Sequence, residues 1–140
     1  EIRLAAEIAA GRRRPWLWGA HDCVSFARRC AEAQLGRKLP ASRGLPTWSS
    51  FLGATRAMEK VGAASLIEAV DARLPRFASI PLAGRGSIVA LPSDEPTSKA
   101  FGGVAIGVVE GGAVWVARAP GGLVRADLSA ALAAWRIEAD

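Results

Sequence analysis

Histidine occurs once in these 140 residues, cysteine twice, methionine once, and tyrosine not at all. One imidazole and two thiols, Cys23 and Cys30, cannot complete a tetrahedral metal site, so no metal is expected. No glycine-rich phosphate loop is present, and no cofactor is expected. On a helix, Cys23 and Cys30 would stand two turns or roughly 10 Å apart. A disulfide needs Cα atoms within about 7 Å, so both are expected to be free thiols. No apolar run reaches the roughly 18–20 residues of a membrane span. The longest candidate, 102–117, is cut by Glu110 and several glycines, which excludes a transmembrane segment. Repeats, low-complexity tracts and long linkers are missing too.

What remains is a chain rich enough in apolar residues, 51% against 22% charged, to build a core, which excludes wholesale disorder. Its length suits one domain over 1–140. The net charge of +5 is placed unevenly: residues 1–50 carry 9 basic and 4 acidic side chains, and the remainder carries 9 of each. Arg12, Arg13, Arg14, Arg28, Arg29, Arg37, Lys38 and Arg43 form this basic third. Such an edge keeps a domain soluble or meets an acidic surface. No recognised nucleic-acid module follows it, so no nucleic-acid partner is expected.

Apolar spacing predicts a first helix over Ile2 to Ala9, ended by Gly11. A loop from Arg12 to Gly19 follows, then a second helix from Cys23 to Leu35, capped by Asp22 and stopped by Gly36. Residues 37–53 read as irregular, and 54–74 as helical in two pieces broken near Gly62. The pattern then changes to strands. Ser87 to Leu91 is one, and Val104 to Val109 with Ala113 to Ala117 form a hairpin around Gly111-Gly112. Leu123 to Arg125 is a further strand, 128–134 a helical turn or two, and Trp135 to Ile137 a last strand. Helices first and an antiparallel sheet second is an α+β layout.

The chemistry, if any, lies in Trp16-Leu17-Trp18-Gly19-Ala20-His21-Asp22-Cys23. It places a thiol in the first turn of a helix, where free N–H groups and the dipole favour a thiolate. Those N–H groups also suit an oxyanion. The same cysteine fits equally well as a small apolar residue packing the helix start. A thiol nucleophile needs a base, and His21, two residues earlier on the incoming loop, is the one imidazole available. It is the candidate base, with a structural role on the loop as the competing reading. Trp16 and Trp18 are candidates to stack on a glycan or peptide, or to pin the loop. Trp48 is a candidate interface anchor, and Trp115 and Trp135 are expected in the sheet.

Trp18-Gly19-Ala20-His21-Asp22-Cys23 with Phe26 resembles the Trp-Gly-x-x-Asp-Cys segment of the NlpC-type branch of papain-like cell-wall peptidases. Within that branch it is most similar to a group of small phage and prophage proteins. Gly86 to Leu91 resembles the first core strand of the family and Gly103 to Gly107 the next. Pro120 to Val124 and Ala134 to Ile137 resemble the end of the phage proteins. The resemblance spans nearly the whole chain. It implies a papain-like fold with N-terminal helices packed on a C-terminal antiparallel sheet, and Cys23 in the nucleophile position. It also implies two departures: Gly103 stands where the catalytic histidine belongs, and Ser87 where an aspartate opens the strand. Losing the base removes thiolate generation and leaving-group protonation, each worth roughly 10²–10⁴ in rate.

These observations set up three expectations. The first is a structural protein of a phage tail tip with a degenerate peptidase site, bound to other tail-tip or hub proteins. It would reside in the virion tail, or in the host cytoplasm before assembly. The second is an active cysteine peptidase or amidase acting on peptidoglycan during phage entry, using Cys23 and His21. The third is a module that holds peptidoglycan through Trp16 and Trp18 without cutting it.

Overall fold

The computed structural model describes residues 2–138, and the side chain of Ile2 lies outside the described residues. Among the described residues four α-helices come first: α1 (Ile2–Gly11), α2 (Cys23–Leu35), α3 (Phe51–Val61) and α4 (Leu66–Asp71). Five strands follow: β1 (Ile88–Pro92), β2 (Val104–Glu110), β3 (Ala113–Arg118), β4 (Gly122–Ala126) and β5 (Ala133–Trp135). They form one antiparallel sheet in the order β4-β3-β2-β1-β5. The expected α+β layout therefore holds. Among the described residues, no helix is long and apolar enough to cross a membrane.

The helices follow their sequence signals. Leu4 and Ile8, one turn apart, are the buried side of α1. On α2, Phe26, Ala27, Cys30 and Ala31 recur at helical spacing and are buried. Gly36 ends this helix in the left-handed region at φ 70°, and its N–H closes onto the Glu32 carbonyl, a conformation that is cheap for glycine. α2 lies across β2 and β3, so its apolar side and the sheet share one core.

Three boundaries differ from expectation. α3 begins at Phe51 instead of Ala54, because the Ser50 hydroxyl accepts the Gly53 N–H at 3.0 Å and caps the helix there. Phe51 and Leu52 lie outside the core, at 44% and 56% exposure, and so break the apolar periodicity that marks a helix start. Residues 128–134 hold only a 3-10 turn, Leu128–Ala130, and β5 starts at Ala133. The Ala130 and Ala131 N–H groups bond three residues back, and Leu132 N–H then reaches the Ala90 carbonyl at 2.8 Å, pulling the chain into the sheet. α4 stops at Asp71 rather than continuing to Leu74.

Trp135, on β5, is fully buried and donates its indole N–H to Asp71 at 2.8 Å. Arg76 grips the same carboxylate through Nε and Nη2 at 2.9 and 2.8 Å, which holds the Asp71 carboxyl below its ordinary range, with the Trp135 indole helping. The end of α4 is thereby fastened to the outer strand. At the other crossing, Gly107 lets β2 approach β3 closely. A Cβ there would lie 2.6 Å from the Trp115 carbonyl oxygen and 2.7 Å from Val114 Cγ1. Because one of those atoms is backbone, Gly107→Ala is expected to destabilise the protein by about 1–3 kcal/mol, as overpacking does. Urea unfolding of the two proteins checks it.

Candidate functional site

The loop before α2 closes on itself. Leu17 and His21 exchange both backbone hydrogen bonds, at 3.2 and 2.8 Å, around a turn at Gly19. Gly19 has φ 70°, and a side chain there would collide with the Trp48 carbonyl. The turn delivers Asp22 to the head of α2 with no exposed surface. Its Oδ1 accepts the Ser25 N–H and Oγ–H, both at 2.8 Å. Oδ2 accepts the Gly19 N–H at 2.8 Å and the Trp48 indole N–H at 2.7 Å. A buried carboxylate is tolerated only when its oxygens are well satisfied, and four donors satisfy these.

Cys23 opens α2 as expected, but its thiol is buried at 5% exposure. Beside it lies a cavity of about 10 Å³, lined among others by Trp16, Ser98, Ala105, Ala117 and Arg118. A space of that size holds one water at most. The expected lowering of the thiol pKa is not found. Burial, then the neighbouring Asp22 charge, push the thiol from 9.0 up to about 12. Backbone groups of Ile106, Val24 and Cys23 itself pull the other way and lose. A helix terminus contributes about 0.3–1 kcal/mol, under one pKa unit, whereas burial moves a pKa by several. Cys30 is also a free buried thiol, and burial pushes it up to about 12.

His21 faces Arg29 and Phe26. Its ring is buried and packs edge-on against Phe26 at 5.8 Å between centroids. Nδ1 lies 2.5 Å from an Arg29 guanidinium nitrogen. Arginine only donates, so Nδ1 is the acceptor and the neutral ring carries its proton on Nε2. Among the described residues no hydrogen bond joins the buried ring to the Cys23 thiol. Burial first, then Arg29, lower the His21 pKa. The lone pair a base would need is thus engaged by a cation.

The tryptophans are mostly committed to packing. Trp16 and Trp18 meet edge to face at 4.8 Å, and Trp18 also touches Phe51 and Phe101, each at 6.0 Å. Trp18 thus pins the loop, while Trp16 walls the small cavity. Trp48 is not a free interface anchor: its indole N–H is spent on Asp22, and its ring packs on Phe101 at 5.9 Å. On the far wall, Arg118 pairs with Glu95 at 3.7 Å and Asp94 at 3.9 Å. Sequence reading missed the parts played by Arg29 and Trp48. Arg29 lies two turns after Asp22 on the same helix, a spacing that carries some signal. Trp48 carries none, because its link to Asp22 spans 26 residues.

Gly103 lies at the entrance to β2 with φ 75°. Its N–H bonds to the Ser98 carbonyl at 3.0 Å, and its carbonyl accepts the Ser93 N–H at 2.9 Å. Nothing but the Ser93 carbonyl, at 3.9 Å, stands near where a Cβ would be. Among the described residues, no three His, Cys, Asp or Glu side chains gather to hold a metal ion.

A family model described as a domain of unknown function, DUF6950, matches residues 1–137. The chain belongs to that family. No curated protein matches it. For this DUF6950 chain the geometry has two measurable consequences. With the Cys23 pKa near 12 instead of 9.0, alkylation by iodoacetamide at pH 8 is expected to be at least about 100-fold slower than for free cysteine, followed by mass spectrometry. The sign for stability is also fixed: the unfolded thiols lose protons above about pH 9 while the folded ones keep theirs. Stability therefore falls as pH rises from 9 toward 12. Second, Asp22→Asn turns an amide toward two of the four donors and is expected to cost about 2–4 kcal/mol, read by urea denaturation.

Proposed function

We propose that this chain is a papain-like, NlpC-type fold retained as a structural component of a phage or phage-derived tail tip, without hydrolytic activity. The kinship is supported by a cysteine opening a helix that lies across an antiparallel sheet, in the order the family resemblance implies. One observation carries the loss of activity. The Cys23 thiol is buried beside a space of only about 10 Å³, whose strand-borne neighbours include Ala105 and Ala117 and whose lining contains no imidazole.

A thiol peptidase must form a thiolate, admit a peptide carbonyl within bonding reach, and protonate a leaving amine. Here each step fails for a separate reason. The thiol holds its proton to about pH 12, the space excludes a peptide, and His21 is occupied by Arg29. The wall opposite is filled by the Arg118–Glu95 pair. What remains is a rigid scaffold whose surface is its means of acting, which suits a protein built into an assembly. Tail proteins of this kind reside in the virion, after a period in the host cytoplasm.

Purified protein incubated with peptidoglycan is expected to release no soluble fragments, and Cys23→Ser to behave identically. Co-expressed with phage tail-hub proteins, it is expected to co-purify with them. Fragment release abolished by Cys23→Ser overturns the inactive reading, and failure to associate with any hub protein overturns the tail placement.

A further inference from the structure

A second, far larger space has Phe101 in common with the small one. Its volume is about 800 Å³, within the roughly 300–1,000 Å³ range of small-molecule sites, and it is half open to solvent. Helices α2, α3 and α4 and the 39–48 segment surround it. Ala27, Leu39, Ala57, Met58, Leu66 and Val70 supply apolar walls, and Ile106 lies at the sheet side. Native cores pack at crystal-like density with few voids larger than a water, so an apolar space this large invites an apolar occupant.

The charges on its lining are unbalanced. Arg28, Lys60 and Arg73 stand there against a single acid, Glu68. Glu68 already accepts the Ala64 N–H at 3.1 Å. Arg73 reaches the Ala41 and Arg43 carbonyls at 2.9 and 3.0 Å, which straps the 41–43 segment onto the end of α4. Arg28 and Lys60 pair with no acidic side chain among the described residues. A cationic rim on an apolar space is complementary to one class of molecule.

We propose that this space is a binding site for a small amphiphile, a single apolar chain carrying an anionic head such as a carboxylate or phosphate. The apolar chain lies between α2, α3 and α4, and the head meets Arg28 and Lys60. This site is separate from Cys23, and the proposal stands whether or not the tail-tip reading does.

Laurate, dodecyl phosphate, dodecanol and dodecyltrimethylammonium, each below its micellar concentration, are titrated into the intact chain by calorimetry. Laurate and dodecyl phosphate are expected to bind one per chain and raise the unfolding temperature. Both are expected to bind at least tenfold tighter than dodecanol or the cationic amphiphile. Arg28→Glu combined with Lys60→Glu, both on exposed positions, should erase that tenfold preference and leave dodecanol binding in place. Ala57→Phe should abolish binding of all four, with circular dichroism checking that it folds; if it does not, the Arg28 and Lys60 variant decides. No saturable binding, equal affinity for laurate and dodecanol, or a preference untouched by Arg28→Glu and Lys60→Glu overturns the proposal. So does a concentration-dependent dimer that laurate fails to dissociate, since a second copy would then be the occupant.

Discussion

A single buried carboxylate ties the loop before α2, the head of α2 and Trp48 to one another. Asp22 takes the Gly19 N–H from the loop, the Ser25 N–H and hydroxyl from α2, and the Trp48 indole from the segment before α3. An unpaired buried charge costs several kcal/mol, so these four contacts are not independent increments. Removing one leaves the others to support a charge they no longer satisfy. Through Trp48 the arrangement extends to Phe101 and, by way of Phe101, to Trp18. The loop, the helix start and the aromatic cluster therefore stand or fall with one side chain.

The same carboxylate works against the thiol beside it. Asp22 is the second cause, after burial, of the raised Cys23 pKa. A negative charge placed to cap a helix also repels a thiolate formed one residue later. In a working thiol enzyme a neighbouring imidazolium offsets such a term. Here the one imidazole is turned to Arg29 and has its own pKa lowered, so only backbone groups oppose it, and they lose. Structural need and chemical need conflict at residues 22 and 23, and the structural one wins. The space beside Cys23 is about 10 Å³, whereas the one that Trp48 lines is about 800 Å³.

Local signals were legible in the sequence and distant ones were not. Asp22 as a cap, Gly36 as a stop and the glycine hairpin at 111–112 each act within a few residues, and each appears where the sequence places it. The start of α3 was hidden because Phe51 and Leu52 are exposed apolar residues that mimic no periodic face. The last strand was shifted because its position depends on Leu132 bonding to Ala90, a contact with no local trace. The site divides in the same way. Cys23 at a helix start could be read, whereas its pKa could not. Burial outweighs the helix terminus, and burial is a property of the assembled core. His21 beside Cys23 in sequence suggested a base, but the ring's direction is set by Arg29 and Phe26 from α2.

On the proposed kinship, the loss of a histidine at position 103 is also a change of backbone. Gly102 and Gly103 both lie in the left-handed region, at φ 74° and 75°, where a residue with a Cβ is strained by roughly 1–2 kcal/mol. Gly102 ends the 3-10 segment Pro96–Phe101, and a Cβ on it would strike the Ala64 carbonyl and lie 2.7 Å from Ser65 Cα, at the head of α4. Gly103 then turns the chain so that its carbonyl meets Ser93 and β2 begins at Val104. A histidine at position 103 would carry its Cβ on a backbone with φ 75°. Two consecutive glycines instead serve to pack the 96–101 segment beside Cys23, where Ser98 and Phe101 help close the small cavity. On that kinship, the position that would carry the imidazole is one of the two glycines that lead the 96–101 segment into β2.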